Sequence, residues 1–312
     1  MKKTQKNSSR EFETDSPCSI ENFSTLPTWI ASLTNPKIIP HTVAYLQTVT
    51  MDFFGIQFLR KLKLVRIPIL NVETPLDQKV PFVPQHLNDY LGFVNFWIRP
   101  LAMLIKILGI KNAAPHLAKF FSLLKKSYKY ASQIYKFCMT TTNRPLYKKR
   151  TYFIILRALD PHYLCVPSLH IAIVSLCYAF FRDVLQKENF SDAQQNLWTR
   201  EIYEGAIKIA ETVLYVKQHS VNCIPAALYM MTKIVPKNFS ENDAQKFLDD
   251  MFVTRKDIPE KTREEIVNYM KGMFARFYEE GKNSAEWNSP IKNWMKEHAQ
   301  KTAQQNLFAH DL

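Results

Sequence analysis

Apolar residues recur three or four positions apart along much of the chain. Leu117, Phe120, Phe121, Leu124, Tyr128, Ala131 and Tyr135 form one such stripe, which predicts a helix over residues 115–138. Ile266, Met270, Met273, Phe274 and Phe277 form another, in a helix opened by Pro259 and stopped near Gly281. Residues 169–184 and 198–215 read as buried helices, and 224–235 as a short apolar one with Pro225 in its first turn. Residues 87–109 are strongly apolar and should be helical, with a break near Pro100. Ser240 and Asp243 have the spacing of a capping box.

Other stretches lack that period. Residues 1–25 are polar and read as a disordered tail. Residues 26–70 are loosely helical. There Phe53, Phe54, Ile56, Phe58, Leu59 and Leu62 crowd together beside a basic turn, Arg60 to Arg66. This pattern fits either an amphipathic surface helix or core, and core is the commoner outcome. Pro75, Pro81 and Pro84 break 71–84 into a loop, and the polar run 140–143 ends the helix before it. The expected organisation is a tail at 1–25, a helical domain at 26–236 and a helical extension at 237–312, packed on the domain or on a partner.

Composition supports an all-α chain: hydrophobic residues make up 46% and glycine only 6 positions. The net charge of +13 favours anionic partners, such as phospholipid headgroups or phosphorylated metabolites. The lysines are scattered and no nucleic-acid module stands out, so nucleic acid is not the expected partner. The five cysteines form no Cys-x-x-Cys pair, which suits a reducing, cytoplasmic compartment. The start of the chain lacks the apolar core of a secretory signal. Residues 91–110 and 163–181 approach the length of a membrane span, but polar residues interrupt both. With a mean hydropathy of −0.22, buried helices in a soluble or peripheral protein are favoured over an integral one.

Three stretches carry candidate chemistry. The first is Asn143, Arg144 and Pro145, preceded by Lys136. The second runs Cys165, Val166, Pro167, Ser168, Leu169, His170. The third is 212–226, with Lys217, Gln218, His219, Ser220, Val221, Asn222 and Cys223. Phosphoester hydrolysis needs fixed cations on the phosphoryl oxygens, a nucleophile in line with phosphorus, and an acid for the leaving oxygen. Arg144, His219 and His170 are the residue types for those tasks, and Ser168 precedes a helix whose free N–H groups suit an anion. Nothing calls for a cofactor, and His41, His86, His116, His162, His298 and His310 show no metal-ligand spacing. Asp160 and His162 are placed to bond locally to the second stretch.

These stretches resemble the superfamily of type 2 phosphatidic acid phosphatases and vanadium haloperoxidases. The likeness is to the branch with Pro-Ser-Leu-His in place of Pro-Ser-Gly-His, which includes inositol phosphorylceramide synthases. Thr74, Pro75, Leu76 and Asp77, then Val80, Pro81, Phe82, Val83 and Pro84, then Tyr90, are similar to that branch's entry into its first core helix. The resemblance spans roughly 72–235 and implies a helical bundle of that type. It implies a phosphoester hydrolase or phosphotransferase, acting on a phosphorylated small molecule or lipid through a phosphohistidine. His219 would be the nucleophile and His170 the acid. Arg144, Lys136 and Ser168 would hold phosphate oxygens, with Lys217 substituting for a missing arginine.

The chain also departs from the motif. The aspartate expected four residues after the nucleophile is Cys223, and the arginine that often begins the third motif is Val213. Lys136 stands one residue further from Arg144 than the family spacing, so on a helix it would turn about 100° away. If 219 and 223 share one helical turn, an aspartate at 223 would reach the imidazole. A phosphotransferase is therefore weighed against two alternatives. One is a degenerate relative that binds a phosphorylated ligand, an anionic membrane surface or a protein partner without turnover. The other is a helical interaction protein with a basic face.

Overall fold

The computed structural model describes residues 17–145 and 160–309, and the fold is all-α. The first part of the expected tail, 1–16, and His310 lie outside the described residues. The rest of that tail is ordered: Ile20 and Phe23 are buried, and Trp198 donates its ring N–H to the Cys18 carbonyl at 2.8 Å. Two apolar side chains within a few residues suffice to dock an otherwise polar segment.

Helices α1 (Leu26–Thr34) and α2 (Ile39–Thr48) and a π-helical segment Val49–Gly55 pack outside a long helix, and α3 (Ile56–Lys61) continues from that segment. Strand β1 (Ile69–Asn71) follows, then α4 (Pro75–Lys79) and α5 (Leu87–Leu91). The expected loop at 71–84 thus holds a helical turn, because Thr74 and Asp77 close a capping box around Pro75. The long helix α6 runs Phe93–Tyr135. Its break is at Gly109 (φ 73°), not at Pro100. Only glycine adopts that backbone without strain, and Pro100 is tolerated while buried in the helix. Strand β2 (Met139–Thr141) pairs in parallel with β1, Leu70 opposite Thr140, and Thr140 bridges on to Leu164.

Helix α7 (Leu169–Lys187) is the centre of the bundle, packed by α6, α8 (Asp192–Tyr215) and α9 (Cys223–Ile234). Helix α8 begins six residues before the expected 198, because Ser191 and Gln194 form a capping box ahead of the apolar run. Helices α10 (Glu241–Asp249), α11 (Glu260–Lys282) and α12 (Ser289–Ala309) make the C-terminal extension. The Ser240–Asp243 capping box and the buried stripe of α11 are as the sequence predicts. Helix α11 ends at Lys282, one residue past Gly281, near the expected stop; a Cβ at 281 would meet the Tyr229 hydroxyl, so glycine there also admits that ring. The extension packs on α9, and its buried side chains join the same hydrophobic core.

Two helical stretches are long and apolar enough to cross a membrane, Pro84–Tyr135 and Leu169–Lys187. The most apolar window of the second is 72% buried, which marks α7 as a core helix. In the first the figure is 39%.

Candidate functional site

Four chain segments meet where α7 begins. Ser168 caps α7: its Oγ accepts from Ile171 N at 3.5 Å, so His170 falls in the first turn. The loop before it is anchored to β2, with Val166 N donating to Thr140 Oγ1 (2.7 Å) and Cys165 N to Thr140 O (3.2 Å). The Tyr135 hydroxyl donates to Pro167 O at 2.6 Å. The third stretch is a tight turn between α8 and α9. Gln218 N and His219 N both donate to Val213 O (3.0 and 3.2 Å), and Lys217 takes a left-handed backbone (φ 54°). A non-glycine residue in that region costs about 1–3 kcal/mol, so the surroundings must enforce it.

Asp77 does much of that enforcing. Its buried carboxylate accepts from Ser220 Oγ (2.7 Å), Val221 N (2.7 Å) and Thr74 N (2.8 Å). No role for Asp77 was assigned from the sequence, although its spacing from Thr74 is that of a capping box. Asn222 adds a bond to Val72 O at 2.8 Å. Ser168 N donates to Cys223 O at 3.3 Å, joining the two histidine-bearing segments.

The result is a pair of imidazoles in contact. His219 Nε2 lies 3.3 Å from His170 Nδ1 and 3.4 Å from Ser168 Oγ. His219 Nδ1 lies 3.2 Å from the Cys165 carbonyl. A carbonyl only accepts, so His219 carries its proton on Nδ1 and turns the Nε2 lone pair toward His170. The His170 ring sits 4.7 Å from the rings of both Tyr90 and Phe93. Burial there lowers its pKa to about 4, against the opposing pull of Asp160. Burial also holds His219 well below its ordinary value, reinforced by His170 and Arg144 and opposed by the Cys165 carbonyl. Both rings are neutral at pH 7.

They face a cavity of about 200 Å³, roomy enough for several waters or a small anion. Its wall includes Tyr90, Phe93, Asp160, His162, Gln218, and the rings of Phe53 and Phe54. The last two come from the crowded apolar run ahead of the basic turn. The Gln218 Oε1 atom is buried without a hydrogen bond. Among the described residues, no three His, Cys, Asp or Glu side chains are grouped to hold a metal ion.

The cations are arranged differently from the expectation. Arg144 does come to the site, but behind Asp160: Nη2 pairs with Asp160 Oδ2 at 2.7 Å, and Nε is buried with no partner. Lys136 does not line the cavity. Its ammonium pairs with Asp52 at 2.8 Å, as does that of Lys129, two turns earlier on α6. Lys217 also points elsewhere, donating to the carbonyls of Asp77 and Val80. Burial depresses its pKa, so those carbonyls hold a costly charge.

Position 223 is not one helical turn from His219, because α9 starts only at Cys223. The Cys223 sulfur accepts from Ser220 N at 3.3 Å, and burial raises its thiol pKa well above the ordinary value. Val213 is fully buried and carries no charge to the cavity. Of the two residues expected to bond locally to the second stretch, His162 does so, its Nε2 lying 3.6 Å from Cys165 Sγ; Asp160 Oδ1 instead accepts from His162 N at 3.0 Å.

No protein-family model, curated protein or solved structure matches the chain.

Proposed function

We propose that this cavity binds a phosphoester and transfers its phosphoryl group through His219, in the manner of the phosphatidic acid phosphatase and haloperoxidase superfamily. The observation that carries the reading is the hydrogen bond from His219 Nδ1 to the Cys165 carbonyl. It gives the imidazole the tautomer a nucleophile needs, a task that an aspartate performs in other His–carboxylate pairs. In the first step Nε2 forms a bond to phosphorus as the bond to the leaving oxygen breaks, and His170 gives that oxygen a proton. Water then attacks phosphorus, the P–N bond breaks, and His170 takes the proton back. A bound phosphate dianion favours the charged imidazolium, offsetting the burial that keeps His170 neutral in the empty site. Arg144 balances phosphoryl charge once Asp160 yields it, and the Ser168 hydroxyl adds a donor.

A second reading has its own support. Among the described residues near the motifs, Lys129, Lys136 and Lys217 are engaged elsewhere, and Arg144 is held by Asp160. That arrangement suits a relative that binds a phosphorylated ligand without turnover. Incubation with p-nitrophenyl phosphate decides between them. The transferase reading requires an acid-labile, base-stable phosphate on His219, lost in His219→Ala. Vanadate binding without label or turnover in the folded protein selects the second reading.

A further inference from the structure

Helices α1 and α2 are inside out. On α1 the exposed stripe is Leu26, Trp29, Ile30 and Leu33, spaced i, i+3, i+4, i+7, with Leu33 69% exposed. Its buried face is Thr28, Ala31 and Ser32. On α2, Thr42, Tyr45 and Thr48 are buried while Val43 and Leu46 face outward. The inner hydroxyls lose nothing by burial, since Thr28 donates to Ile98 O, Ser32 to Thr28 O (2.7 Å) and Thr48 to Ala44 O (2.9 Å). Met51, Leu62 and Leu64 extend the set of exposed apolar side chains beyond these helices. Water is the wrong solvent for such an outer face.

Two observations say what covers it. Residues 26–66 hold five basic side chains, Lys37, Arg60, Lys61, Lys63 and Arg66, against one acid. That acid, Asp52, is already paired with Lys129 and Lys136. Like charge disfavours a second copy and favours an anionic surface. Helix α1 has 9 residues, a rise of about 14 Å, half the ~30 Å a bilayer core demands. It can lie in one leaflet but not cross.

We propose that this face seats at the headgroup–acyl boundary of an acidic lipid bilayer, with Trp29 at the interface and the basic residues on anionic headgroups. Phe54 is 41% exposed and also lines the cavity of His170 and His219, so the docked face adjoins the cavity rim. Delivery of a lipid phosphate to that cavity rests on the function proposed above; docking itself does not.

The test uses the full chain and phosphatidylcholine vesicles with or without phosphatidylserine. Wild type is expected to sediment with the acidic vesicles, to release with salt, and to show Trp29 quenching by brominated lipid. Leu33→Glu with Leu46→Glu should cut partitioning by roughly tenfold or more, since each charge must enter the interface. An unchanged thermal melt excludes misfolding. Equal sedimentation of the double variant, or none for wild type, overturns the proposal. So does a vesicle-free dimer that the double variant dissociates, which would assign the face to a second copy. His219→Ala should dock as wild type does. Docking without vanadate binding would sink the cavity reading alone, and vanadate binding without docking would sink this one alone.

Discussion

The carbonyl oxygen of Cys165 stands 3.2 Å from Nδ1 of His219 and fixes the orientation of that ring. A backbone group cannot be removed by substitution, so its role is read through its consequences at position 223. Cys223→Asp would bury a carboxylate at the start of α9, close enough to Asp77 to feel its charge and not on a shared helical turn with His219, whose Nδ1 is already bonded to the Cys165 carbonyl. We expect a loss of stability on the order of 2 kcal/mol and no gain in phosphomonoester turnover. Denaturant melts and a colorimetric assay check both. A rise in turnover would show that the imidazole lacks an orienting partner.

Asp160 competes with any anion for Arg144. Asp160→Asn should tighten vanadate binding, because it frees the guanidinium and removes a negative charge from the cavity wall. Arg144→Ala should weaken it by about 1.5–3 kcal/mol, the worth of a hydrogen bond to a charged group. Isothermal titration of the three proteins checks the order.

The depressed pKa of His170 has a sign in stability. Its folded value is about 4 against an ordinary 6.5, so between those values the unfolded chain binds more protons. Stability is therefore full above pH 6.5 and falls as the pH drops toward 4. His219 is shifted the same way and adds to the slope. Melting temperatures across that window should fall steeply in wild type and less steeply in His170→Asn.

Asp77 holds the His219 turn through two donors, Ser220 Oγ and Val221 N, and closes its own helix cap by accepting from Thr74 N. Asp77→Ala leaves the buried Val221 N without its acceptor and opens the Thr74 cap, while Ser220 Oγ keeps Val72 O, and should cost on the order of 3 kcal/mol. Asp77→Asn keeps the shape and should cost less. In both, vanadate affinity should fall with the melt, although neither substitution touches the cavity wall.

The histidine pair was legible in the sequence because its determinants are local. A Pro-Ser step before an apolar run fixes a helix N-cap, and the cap fixes which turn His170 occupies. The lysines were not legible. A long side chain pairs with whichever acceptor the fold brings near, and the partner of Lys136 lies 84 residues away. Spacing on α6 alone carries no record of Asp52. The outer helices show a further limit. A period of three to four residues gave loosely helical structure at 26–70, but periodicity does not say which face is inside. On α1 the sense is reversed, and only packing against α6 reveals it. Gly109 outweighed Pro100 as a helix breaker for a similar reason, since burial decides which deviation the neighbours accept.

The hydroxyl of Tyr269 donates to Asn222 Oδ1 at 2.7 Å, and Asn222 Nδ2 donates onward to Val72 O at 2.8 Å. Helix α11, the turn that carries His219 and the segment after β1 are thereby latched in series. Amide hydrogens in α9 and α11 should exchange with deuterium together, as one opening event, and loosening Tyr269 should release protection around His219 from a distance.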